Sequence, residues 1–156
     1  MASIEARSFL MPGKIVYGEG ALAQAAPSMA QMGEKALIVT DAMMVKLGNL
    51  ARVTQALEGE GIGFSVYDGI NSEPVDKMVE EGVRRFKEDG CDFMVALGGG
   101  SPIDTMKAIA MCAASGERVA AFMGRPYCGP VCPMVAIPTT CLLYTSDAAD
   151  DLTRVD

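Results

Sequence analysis

Histidine and tryptophan are both missing from the 156 residues of this chain. The first absence excludes the most. Centres in which zinc or iron activates an alcohol are usually built with at least one neutral imidazole, so none is expected here. Nor is there a Tyr-x-x-x-Lys pair to act as a metal-free base. The residues four after Tyr17, Tyr67, Tyr127 and Tyr144 are Ala21, Asn71, Val131 and Ala148. No catalytic residue and no metal ligand is therefore expected within the chain. Positive charge is scarce too: 13 Lys and Arg stand against 20 Asp and Glu, for a net charge of −7. That balance excludes a nucleic-acid or anionic-membrane partner, either of which wants a basic face. It leaves room for a phosphate site built from backbone N–H groups.

Long apolar runs are absent as well. None approaches the roughly 18–20 residues that span a bilayer, and the N-terminus, with only Phe9-Leu10-Met11, lacks the apolar stretch of a secretory signal. The expected location is the cytoplasm. Five cysteines form no CxxC pair. Cys91 and Cys112 sit in apolar segments and read as small buried residues. Cys128 and Cys132 share a loop, where free thiols are the simpler expectation than a disulfide or a metal pair.

What is present is globular. Apolar residues make up 50% and charged residues 21%, and the length suits one domain rather than two. Apolar runs too short for helices, at residues 36–40, 64–67, 93–97 and 134–137, read as strands. The first, third and fourth are apolar almost throughout, as strands buried on both faces should be. Helical patterns lie between them. One spans residues 21–32 and ends at Gly33, expected as the left-handed glycine after a helix. A second spans residues 50–59 behind Asn49 as N-cap. A third carries Val75, Met78, Val79, Val83 and Phe86 on one stripe and stops before Gly90. A fourth runs from Pro102 to about Ala114. Alternating strands and helices at this spacing predict a doubly wound, Rossmann-like α/β domain around a parallel sheet. Residues 116–133 read as a long loop, and from Cys141 onward the chain becomes a short acidic segment unlike anything upstream.

Two glycine clusters compete as phosphate sites. Gly98-Gly99-Gly100-Ser101-Pro102-Ile103-Asp104 stands between a buried strand and a helix. Glycines without a Cβ let backbone N–H groups approach a diphosphate, and the helix N-terminus adds partial positive charge. Ser101 is expected at the N-cap, Pro102 at the first helical position and Asp104 at the third, close to a capping box. A tight, well-capped turn without ligand is the alternative, but three glycines exceed what capping needs. The rival, Gly18-Glu19-Gly20-Ala21-Leu22-Ala23, matches GxGxxA and opens a helix, yet follows only a short apolar stretch. A plain turn into the first helix explains it as well. Asp41 falls just past a buried strand, where a carboxylate either accepts hydrogen bonds from a ribose diol or caps the next helix.

With Asp41, the run Gly98 to Lys107 (GGGSPIDTMK) and Ile137-Pro138-Thr139-Thr140 in hand, the chain resembles the iron-containing alcohol dehydrogenase family. The likeness covers residues 9–140. It includes Pro12…Tyr17-Gly18-x-Gly20-Ala21 and Tyr67-Asp68-Gly69…Glu73-Pro74. Glycerol dehydrogenase and dehydroquinate synthase share the fold but usually differ after the glycines, so they are the alternatives, together with a non-catalytic nucleotide- or phosphate-binding module.

The resemblance implies a dehydroquinate synthase-like nucleotide domain over residues 1–140. It implies NAD, rather than NADP, as cofactor. Gly99, Gly100 and Ser101 match the diphosphate loop, with Gly98 at its strand end and Asp104 in the motif; Thr139 and Thr140 match the pair lining the cofactor, and Asp41 matches the position facing the adenosine ribose. A divalent metal, usually iron, polarising a small alcohol or aldehyde would be held by an all-helical domain outside these residues, and a homo-oligomer is compatible. Glu73-Pro74 departs from the Asn-Pro of many members, and Asn71 is no simple substitute. Residues 141–156 depart entirely and look like translated adapter read-through, so the chain alone is expected to be inactive and only marginally folded.

Overall fold

A computed structural model describes residues 13–72, 75–125 and 127–139. Four short strands carry the core: β1 Lys35–Val39, β2 Gly63–Tyr67, β3 Phe93–Gly98 and β4 Met134–Pro138. They form one parallel sheet in the order β2-β1-β3-β4. Residue Ala36 pairs with Phe64 on one side and Phe93 on the other, and Met94 pairs with Met134. β1 and β3 are central, which is why both read as continuous apolar runs.

Side chains alternate across the two faces. Leu37, Val39, Met94 and Ala96 pack against α4 (Asp76–Glu88) and α5 (Gly100–Ser115). Ala36, Ile38, Phe93, Val95 and Leu97 face the other way, onto α1 (Ala21–Met29), α2 (Ala42–Lys46) and α3 (Asn49–Gly59). Helices therefore cover both faces, and the doubly wound α/β fold expected from the sequence is what forms. Each fully buried Phe93, Leu37 or Ile38 contributes about 1.5–3 kcal/mol.

Several local expectations are corrected. β4 lies at the sheet edge and is only half-buried, not covered on both faces. α1 stops at Met29, and Gly33 is not left-handed; it is glycine because a Cβ there would lie 2.2 Å from Asp92 Oδ1. That carboxylate accepts hydrogen bonds from the backbone N–H groups of Glu34 (2.7 Å) and Lys35 (3.0 Å). Asn49 is the first residue of α3, not its N-cap, which is the left-handed Gly48. Val75 stands ahead of α4 and is exposed, while Gly82 faces the buried Ile109 in the stripe. Within the long loop Val119–Phe122 winds into a single 3-10 turn.

Candidate functional site

The strand order places the C-terminal ends of β2, β1, β3 and β4 side by side. Connections leave β1 toward one side of the sheet and β3 toward the other, so a crevice opens between those two ends. In open α/β sheets this is where ligands bind. Short hydrogen bonds tie the four ends together. Thr40 N–H donates to Tyr67 O at 2.9 Å, Thr40 Oγ1 donates to Leu97 O at 2.8 Å, and Thr139 N–H donates to Gly98 O at 3.0 Å. Asp41 forms an antiparallel bridge with Gly69.

The glycine loop enters α5 differently from the capped turn expected of it. Gly98 has φ of 142°, a conformation open essentially to glycine alone, and Gly99 is extended. α5 then begins at Gly100, two residues early, with Gly99 as N-cap and no side-chain cap. Ser101, Pro102 and Asp104 are thus the second, third and fifth helical residues, and the capping-box expectation fails. The turn is made by Gly98, at positive φ, and the extended Gly99, so the helical conformation is already reached at Gly100. The consequence is chemical: among the described residues no side chain accepts from the first-turn N–H groups of Gly100 and Ser101. A Cβ on Gly100 would meet nothing within 4 Å, so the surface there is open. Uncapped donors, a helix dipole and a cradle that any Cβ would narrow fit a diphosphate.

Asp41 is the cap of the next helix, one of the two expectations for it, and its second oxygen is turned toward the glycine loop. Its Oδ1 accepts a hydrogen bond from Met44 N–H at 3.0 Å, capping α2. Its Oδ2 faces the glycine loop, 3.1 Å from where a Cβ of Gly98 would stand. α2 itself went unread in the sequence, as did Thr40, whose chemistry lies in bonds to residues far along the chain. Thr139 is exposed at the end of β4 and its backbone joins the loop. Thr140, Glu73-Pro74 and residues 141–156 lie outside the described residues. Asp104 is exposed, paired with Lys107 at 3.1 Å, and makes no bond into the crevice among the described residues. One turn beyond Ser101, Thr105 is fully buried with its hydroxyl unpartnered among the described residues.

The rival glycine cluster lacks the context it needs. Residues 14–17 form no strand, Gly20 is the left-handed cap of α1, and the helix it opens packs by Ala26 and Met29. Among the described residues no three of Cys, Asp or Glu gather as a metal site, and with no histidine available the residues present do not fit iron. Cys91, Cys112, Cys128 and Cys132 are free. Burial pushes the thiols of Cys91, Cys112 and Cys132 up, away from the thiolate form that binds metal or attacks carbon. Tyr67 is likewise pushed up, first by burial and then by Glu81, and its hydroxyl donates to Met78 O. It is a structural group, not a base.

Comparison with known proteins bears on the family and the fold. The sequence profile of the iron-containing alcohol dehydrogenases matches residues 12–142. The chain is 38% identical over 135 residues to the NAD-dependent methanol dehydrogenase of Bacillus methanolicus, covering 85% of this chain and 35% of that protein. It is 38% identical over 128 residues to the lactaldehyde reductase of Escherichia coli K12, covering 80% and 34%. It thus spans about a third of the length of these relatives. Among solved structures it is similar to a 1,3-propanediol oxidoreductase, at TM-score 0.83 and 30% identity, over 87% of this chain and 36% of the other. A halo-thermophilic archaeal alcohol dehydrogenase from a Red Sea brine pool superposes at TM-score 0.78 and 33% identity, over 88% and 37%. No described helix is long and apolar enough to cross a membrane.

Proposed function

The chain belongs to the iron-containing alcohol dehydrogenase family, and we propose that it supplies the NAD-binding part of a cytoplasmic enzyme that moves hydride between a small alcohol or aldehyde and a nicotinamide. The observation that carries this is the uncapped N-terminus of α5, opening through Gly100 into the crevice opposite Asp41. The names of relatives such as the NAD-dependent methanol dehydrogenase support the choice of cofactor.

Each residue has a separable task. The N–H groups of Gly100 and Ser101, with the dipole of α5, bind the diphosphate. Gly98 and Gly99 bring the backbone close by carrying no side chain. Asp41, held by Met44 N–H through Oδ1, keeps Oδ2 for the adenosine ribose diol and repels a 2′-phosphate. Thr139 and Thr140 line the cofactor from the β4 side, and Asp104 stays in the motif as a surface residue paired with Lys107. When bound, NAD supplies the hydride acceptor. The metal that polarises the alcohol is held by other segments of the enzyme, residues 1–140 forming the nucleotide domain and residues 141–156 lying outside it.

The decisive variant is Gly100→Ala. Its φ is not left-handed and the space around it is empty, so the fold accepts the methyl and the melting temperature holds. ADP and NAD binding, followed by titration calorimetry, should weaken by about tenfold, the loss of roughly one charge-assisted hydrogen bond. Unchanged binding with an intact fold would refute the diphosphate assignment.

A further inference from the structure

We infer that Thr40 is the positioning residue that sets the span between the two ends of the nucleotide site. The inference rests on the nucleotide assignment above. Thr40 stands where three strands meet. Its backbone N–H is committed to Tyr67 O on β2, as the parallel ladder requires. Toward β3, pairing continues only to Val39 with Ala96. The chain then departs into α2, and β1 supplies no further N–H to the carbonyl of Leu97 at this level. The Thr40 hydroxyl takes that place, donating to Leu97 O at 2.8 Å from a fully buried position.

The bond joins the residue before Asp41 to the residue before Gly98. Asp41 Oδ2 already lies within van der Waals reach of the space over Gly98, so the strap governs how far the ribose-facing carboxylate stands from the diphosphate-binding turn. A ligand that holds both ends at once depends on that span, while a ligand that touches one end does not. Asparagine or aspartate in this place would reach differently, while serine would keep the donor without the β-branch. Threonine is the choice that combines a β-branched strand residue with a donor on the correct face.

The experiment compares Thr40→Val, near-isosteric without a donor, with Thr40→Ser, which keeps the donor and drops a methyl. Three probes are titrated into the 156-residue chain by calorimetry: ADP, which spans both ends, adenosine, which reaches Asp41 alone, and inorganic pyrophosphate, which reaches the glycine turn alone. Thr40→Val should weaken ADP by about tenfold, as having to fix a loosened span on binding implies, with adenosine and pyrophosphate unchanged. Thr40→Ser should restore ADP affinity even though losing its methyl lowers the melting temperature. Should the valine variant not fold, Thr40→Cys, with a weak donor of similar size, reads the same difference between ADP and the single-ended probes. Equal ADP affinity in the folded donor-poor variant, or a loss shared by all three probes in step with melting temperature, would overturn the inference. Failure of the unmodified chain to bind ADP would overturn the nucleotide assignment first, and this inference with it.

Discussion

Asp41 and Gly98, more than fifty residues apart in sequence, face each other so closely that a Cβ on the glycine would stand 3.1 Å from the carboxylate Oδ2. The same Cβ would lie 2.8 Å from Pro102 Cγ, and Gly98 already has φ of 142°. Gly98→Ala should therefore cost about 1–3 kcal/mol of stability and abolish nucleotide binding. Chemical denaturation and NAD titration check both. It contrasts with Gly100→Ala, where binding alone should suffer.

Cofactor choice follows from the free oxygen of Asp41. Asp41→Asn keeps a competent N-cap for α2 and removes the charge. The preference for NAD over NADP should shrink by at least about fivefold, the worth of roughly 1 kcal/mol of charge repulsion, with the melting temperature held. Paired binding titrations with the two cofactors decide it; an unchanged ratio would mean the carboxylate does not face the ribose.

Gly33 is held glycine by packing rather than by backbone conformation. In Gly33→Ala the new methyl displaces the Asp92 carboxylate, which lies 2.2 Å from the Cβ position and holds two backbone N–H groups at the start of β1. Destabilisation of about 2 kcal/mol is expected, visible as a lower urea midpoint. An unaltered midpoint would show that Asp92 moves aside freely.

Acid should weaken the fold through α4. Hydrogen bonds from Arg84 and then Arg85 hold the Glu81 carboxyl at about 2, below its ordinary value of 4.5. A lowered value in the folded state gives stability that is complete above the ordinary carboxylate range and is lost as pH falls toward about 2. The group is partly exposed, so the contribution is at most about 1 kcal/mol. Glu81→Gln should lower the unfolding free energy above about pH 5 by that amount, leave it unchanged near pH 2, and so flatten the acid limb between them.

Turnover is not expected from the chain by itself. It has no histidine, and the described residues gather no metal ligands. Purified protein incubated with NAD, ethanol or propanediol and added ferrous iron or zinc should show no rise in NADH absorbance. Metal-dependent reduction exceeding a host-protein control would contradict this.

The sheet and its helices were legible because burial writes a period into the sequence. β1 and β3, covered on both faces, stand out as unbroken apolar runs, and Met78 and Val79 mark the inward stripe of α4. The edge position of β4 was not legible, since Met134–Ile137 is as apolar as a central strand while its neighbours are decided by topology. α2 escaped because Ala42–Lys46 is too short to show a period and leaves Met43 and Val45 exposed. At the candidate site, Gly98, Gly99, Gly100 and Asp41 stand out in the sequence by residue type, by their place at strand ends and by the family resemblance. Ser101 is not the cap because Gly98 and Gly99 complete the turn and the helix already begins at Gly100. Thr40 carried no signal: a threonine ending a strand is common, and its partner lies 57 residues away.

The strand order has a consequence in time. β1 and β2 can pair through a local crossover, and so can β3 and β4, but neither pairing alone creates the crevice. It exists only once Ala36–Val39 docks on Phe93–Ala96, which closes a long loop and is slow for that reason. During refolding, nucleotide should therefore recognise the chain only after the two halves have met, and should hold them together from that moment on.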